Sequence, residues 1–202
     1  MPSHSIAARF SLAVLFAALV ALPGCSINVK DKSNSKDGEA RVDIKSPIGD
    51  LHVDERPDIR DTGLTVYPGA KPAPKDNSED KKSANVNISV PGFALKVVAA
   101  EFVSDDSPDK VIAYYSKDLL RYGKPIECHG RWTGGDVGVN ADKHDGLSKP
   151  VSCREGGGSG DSVEIKVGTE GNQHLVAVKR DGKGARFALV YVRTHTGKDD
   201  TI

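Results

Sequence analysis

Only one stretch of this chain, Ser107 to Gly123, carries a helical repeat; elsewhere apolar residues alternate with polar ones or form short runs broken by Gly and Pro. That contrast points to a sheet with a single helix on it, because a helix with one apolar stripe has to bury it against a partner layer. Ser107 suits an N-cap, Pro108 the first helical position, and Asp109 adds negative charge to the first turn. Val111, Tyr115, Leu119 and Tyr122 recur at helical spacing, with Ile112 and Leu120 flanking them. Tyr115 fits the buried stripe and its neighbour Tyr114 the margin. Gly123 and Pro125 end the helix, predicted over 107–122, after about four turns.

The strands are read from period-two alternation and their turns. Val42 and Ile44, then Leu51 and Val53, flank a Ser46-Pro47-Ile48-Gly49-Asp50 break, which predicts a hairpin in 41–62. Residues 64–70 read as a short strand ending in Pro-Gly, followed by a charged loop over 71–84. Val86, Ile88 and Val90 alternate with Asn85, Asn87 and Ser89, so that strand has one wet face. A second strand follows over 93–103 and another near Ile126–Cys128. Between Gly134 and Ser162 there are eight Gly in 29 residues, which predicts a long loop. Strands over 163–168, 174–180 and 186–194 then form a C-terminal three-strand meander. Phe187 to Val192 is apolar throughout, so this strand is expected inside the sheet, where neither edge is exposed. The fold class is therefore α+β: an antiparallel β-sheet with one amphipathic helix on one face.

At 202 residues one domain with appendages is expected. The 28 basic and 28 acidic side chains balance, which leaves no basic footprint for nucleic acid.

Residues 1–24 read as a targeting segment. Arg9 precedes an apolar run from Phe10 to Leu22, 13 residues with Ser11 as the only polar member, too short to span a bilayer comfortably. It ends in Leu22-Pro23-Gly24-Cys25, which resembles the lipobox of bacterial lipoproteins, although Pro23 departs from the small aliphatic or hydroxyl residue that family places there. The resemblance implies that Cys25 becomes an acylated N-terminus holding the protein on a lipid bilayer. Because Ser26 rather than Asp follows the Cys, it also implies the outer membrane over the inner. Residues 25–40 read as the lipidated Cys and a flexible polar tether. The 41–53 piece is similar to one turn of the putative-adhesin β-solenoids of bacterial envelopes. The main domain is expected over 63–202. Within it, Val-Tyr-Pro-Gly-Ala followed by Asp-Ser-Pro-Asp-Lys-Val, across residues 63–123, resembles uncharacterised envelope lipoproteins, a likeness that implies no activity.

Chemistry is sparse. Cys128 and Cys153 are the two thiols besides Cys25. In an oxidising compartment the pair is expected as a disulfide; a redox pair, or a metal site with His129, is the alternative, but redox pairs sit as Cys-x-x-Cys. The enclosed loop carries His129, Trp132, Asp136, Asn140, Asp142, His144 and Asp145. Asn140, Asp142 and His144 resemble part of a calcium loop, but Gly146 falls one place late and no Glu closes the pattern. Gly156-Gly157-Gly158-Ser159-Gly160 lacks the endings of a phosphate loop and of a nucleophile elbow. No catalytic residues or cofactor are expected from spacing. The expected function is a membrane-anchored, non-catalytic binding or structural module for an unknown envelope protein or component, with His129, Trp132, Asp136, Asp142, His144 and Asp145 as a possible binding loop. The rival is a metal-dependent periplasmic enzyme or factor using the 129–145 loop.

Overall fold

A computed structural model describes residues 25–30, 41–54, 58–74, 83–130, 147–153 and 161–197. Among them the strands are β1 (Ser26–Lys30), β2 (Arg41–Ser46), β3 (Gly49–Asp54), β4 (Lys71–Pro72), β5 (Ser83–Val90), β6 (Phe93–Ser104), β7 (Ile126–Gly130), β8 (Ser162–Thr169), β9 (Asn172–Asp181) and β10 (Gly184–Thr196). They form one antiparallel sheet in the order β1-β2-β3-β5-β6-β10-β9-β8-β7, with the short β4 pairing to β6. The helix α1 spans Pro108–Asp118 and tightens into a 3-10 turn over Leu119–Tyr122. The α+β architecture expected from the sequence is the one observed.

Each turn follows from its residues. Pro91-Gly92 joins β5 to β6 with Gly92 at φ 80°, and Gly182 at φ 59° opens the β9–β10 turn. Glycine occupies such positive-φ positions without a Cβ clash. β10 lies between β6 and β9, as its uninterrupted apolar run predicts. Phe187 and Leu189 face α1, while Ala188, Val190 and Val192 join Leu175 and Ala177 in a second cluster on the opposite side. On the helix side Val111, Tyr115 and Leu119 are fully buried against Phe102, Ile165, Val167, Val176, Val178, Phe187 and Leu189. Complete burial of one such side chain contributes about 1.5–3 kcal/mol. Tyr114 lies only partly buried at the margin of this core. Ser107 adopts the extended N-cap backbone with Pro108 following, but its hydroxyl makes no capping hydrogen bond.

Three expectations need correction. Residues 64–70 do not form a strand: Tyr67 N–H donates to the Tyr115 hydroxyl at 3.0 Å, and that hydroxyl donates to the Thr65 carbonyl at 3.0 Å. One buried phenol thus supplies the partners that a neighbouring strand would otherwise give. Tyr67-Pro68-Gly69-Ala70 closes as a turn, with Ala70 N–H donating to Tyr67 O and Gly69 at φ 77°. Within the expected tether, residues 26–30 are instead β1, in register with β2 from Ser26↔Lys45 to Lys30↔Arg41. The hairpin turn is also shorter than the five-residue break, with Pro47-Ile48 alone between β2 and β3. Because β3 pairs with β5, the 41–62 segment adds its strands to the common sheet.

Cys128 and Cys153 form the expected disulfide, with Cα atoms 5.4 Å apart. Among the described residues no helix is long and apolar enough to cross a membrane.

Candidate functional site

Cross-strand partners point to the same side of a sheet and successive residues to opposite sides, so the register assigns each side chain to a face. On the side that carries α1, one row runs Asp43↔His52↔Asn87↔Lys96↔Arg193 across β2, β3, β5, β6 and β10. All five residues are polar. At strand spacing of about 4.8 Å the row extends for roughly 20 Å. A second row on that side, Lys45↔Asp50↔Ser89, flanks it towards the hairpin tips. The opposite side of the same strands is apolar: Val42, Ile44, Leu51, Val53, Val86 and Ile88.

The row borders an open concavity of about 500 Å³ whose lining includes Asp43, Lys45, Asp50, His52, Asn87, Ser89, Lys96, Tyr191 and Arg193. Some of its charges are already paired. His52 Nδ1 and Asp43 Oδ1 are hydrogen-bonded to each other. Lys96 Nζ lies 3.7 Å from Asp61, whose 3-10 turn (Ile59–Thr62) packs beside β6. Asn87 Nδ2 donates to Asn85 at 2.9 Å. Lys45, Asp50 and Arg193 make no side-chain hydrogen bond or ion pair with other described residues and are exposed.

The groove ends on an aromatic stack that fixes its wall. His174 lies between Tyr122, at 3.7 Å between ring centres, and Tyr191, at 4.9 Å. Its Nδ1 donates to Thr62 O at 2.9 Å. Burial holds the His174 pKa below its ordinary value, and the nearby Arg121 acts in the same direction, against the bond to Thr62. Tyr122 Oη and Arg121 Nη2 both donate to Gly63 O, at 2.5 and 2.7 Å. The end of the helix is thereby fastened to the 3-10 turn.

A second concavity of about 670 Å³ lies between the Tyr-Pro-Gly turn and the start of α1. Here Tyr67 Oη donates to Asp106 at 3.0 Å and Lys110 Nζ donates to the same carboxylate at 2.6 Å. Lys110 and then Tyr67 lower the Asp106 pKa, while burial and Asp106 raise that of Tyr67. This contact pins the helix start to the Tyr-Pro-Gly turn.

Of the expected binding loop, Trp132, Asp136, Asp142, His144 and Asp145 lie outside the described residues. His129 is exposed on β7, its Nε2 3.1 Å from Glu127 Oε1. Among the described residues no three His, Cys, Asp or Glu side chains converge as a metal-holding group. The polar row was missed by the sequence reading. Its parts show as polar alternate positions, the Asn85, Asn87 and Ser89 face among them, but periodicity does not say which strands become neighbours. Chemically, the row offers donors and acceptors at regular spacing with cations at Lys96 and Arg193, and Lys45 in the flanking row, suited to an extended polar ligand. It also contains an oriented imidazole–carboxylate pair, but no described hydroxyl or thiol is hydrogen-bonded to His52 as a nucleophile would be. No protein-family model, curated protein or solved structure matches the chain.

Proposed function

We propose that this protein is a bacterial envelope lipoprotein, held on a membrane, the outer one in preference to the inner, through an acylated Cys25, and that its folded part is a non-catalytic module. Its ligand is an envelope glycan laid along the Asp43-His52-Asn87-Lys96-Arg193 row. The observation that carries this reading is the row itself: five polar residues aligned across five strands, on the part of the helix-bearing sheet side that α1 leaves uncovered. Hydroxyl-rich chains present donors and acceptors repeatedly along their length, which matches side chains repeating at strand spacing. The cations suit the carboxylates or phosphates such chains carry. The Leu22-Pro23-Gly24-Cys25 sequence supports the anchor, and Cys25 is exposed where it meets β1.

The test is binding of the full-length, detergent-solubilised protein to muramidase-released cell-wall fragments and to lipopolysaccharide core oligosaccharide, measured by calorimetry. Native protein is expected to bind one of them, and Asn87→Ala or Arg193→Ala to weaken that binding at least tenfold. Failure of the native protein to bind either, or equal binding by the variants, would overturn the glycan site.

A further inference from the structure

We infer that the end of the sheet beside Cys25, formed by Ile27, Ile48 and Val90, lies on the bilayer as a second, noncovalent membrane contact. The inference rests on the acylation of Cys25 proposed above. The register brings the three together. Ser26 pairs with Lys45, so Cys25 sits next to Ser46 and the Pro47-Ile48 turn. Asp50 pairs with Ser89, so that turn sits next to Val90 and Pro91. The two tips are in close contact: a Cβ added at Gly49 would fall 2.5 Å from Val90 Cγ1.

This end is unusually apolar for an exposed rim. Ile48 is 77% exposed, Ile27 66% and Val90 36%, so this end carries three of the six exposed large apolar side chains among the described residues. Ser46-Pro47-Ile48-Gly49 and Val90-Pro91-Gly92-Phe93 contain no charged residue. The turn at the opposite end of the sheet, Asp181-Gly182-Lys183-Gly184, carries two. Exposed apolar side chains clustered on two uncharged turns mark a contact surface, with the exposed Lys45 and Asp50 set back along the strands behind them.

The anchor leaves no slack. Ser26, already in β1, follows Cys25 directly, and one residue reaches at most about 3.6 Å. Acyl chains on Cys25 therefore hold this end of the sheet, and no other, against the headgroups. There Ile27, Ile48 and Val90 leave water for the interface, as apolar residues at such boundaries do.

The experiment uses full-length acylated protein in vesicles of phosphatidylethanolamine and phosphatidylglycerol carrying brominated acyl chains, which quench tryptophan within their reach. Ile48→Trp, Val90→Trp and, at the opposite turn, Lys183→Trp are each compared with the parent, whose Trp132 provides the baseline. All three positions are in exposed turns or beside them, and retention of the Cys128–Cys153 disulfide checks the fold. The Ile48→Trp and Val90→Trp variants are expected to show at least twofold more added quenching than Lys183→Trp. Mass spectrometry of the same samples reads the N-terminus. An unacylated Cys25 would overturn the lipoprotein reading and this inference with it. Acylated protein in which all three variants quench alike would overturn this inference alone.

Discussion

Strands β6 and β10 belong to two different regions of one sheet side. Towards β9 and β8 their residues Phe102, Phe187 and Leu189 lie under α1 in a fully packed core. Towards β5, β3 and β2, residues on the same side are Lys96, Asn87, His52 and Asp43, facing an open groove. The backbone pairing is continuous across both. What differs is whether a helix lies above. The covered half is held by apolar burial and the open half by strand pairing and the apolar opposite side, so the two respond differently to substitution.

The largest expected effect falls on the covered half. Phe187 is fully buried and stacks on Phe102 with ring centres 5.7 Å apart. Phe187→Ala is expected to cost about 3–5 kcal/mol, read as a fall in the urea midpoint. Next comes Tyr115→Phe, which keeps the ring but strands the Thr65 carbonyl and the Tyr67 N–H. A loss of about 0.5–1.5 kcal/mol is expected from the two part-buried hydrogen bonds. An unchanged midpoint would show that the 64–67 segment does not depend on this hydroxyl.

The boundary between the halves should show in pH dependence. His174 is held neutral by burial between Tyr122 and Tyr191, with its folded pKa below the ordinary 6.5. Below pH 6.5 the unfolded chain takes up a proton that the folded one resists. Stability from this site is therefore complete above 6.5 and falls as pH drops through that value towards the folded pKa. Urea midpoints between pH 7.5 and 5 should decline, and His174→Gln should flatten the decline. The smallest effect belongs to the open half. Asn87→Ala, the variant expected to lose glycan binding, should shift stability within about 0.5 kcal/mol, since half-exposed polar groups on that row contribute little. A large loss would mean that the row is structural rather than a recognition surface.

The helix was legible because its period, its Pro108 start and its Gly123 end all agree, and the meander because its turns are rich in Gly and Asn. The 64–70 strand was misread because Leu64, Val66 and Ala70 look like a strand, while the hydroxyl that satisfies their backbone comes from Tyr115, about fifty positions away in the chain. β1 was read as tether because its five residues are exposed and polar enough to look unstructured; only the register with β2 makes it a strand.

By itself, the sequence determined the local conformations: where the helix starts and stops, which alternate strand positions are apolar, where turns fall and which two thiols can pair. Those properties are set by residues within a few positions of one another. The tertiary structure alone decided which strands are neighbours, and so aligned Asp43, His52, Asn87, Lys96 and Arg193 in one row and brought Cys25, Ile48 and Val90 to one end. Period-two alternation tells two sides of a strand apart, but it does not specify the strand's neighbour; packing of the whole chain does that.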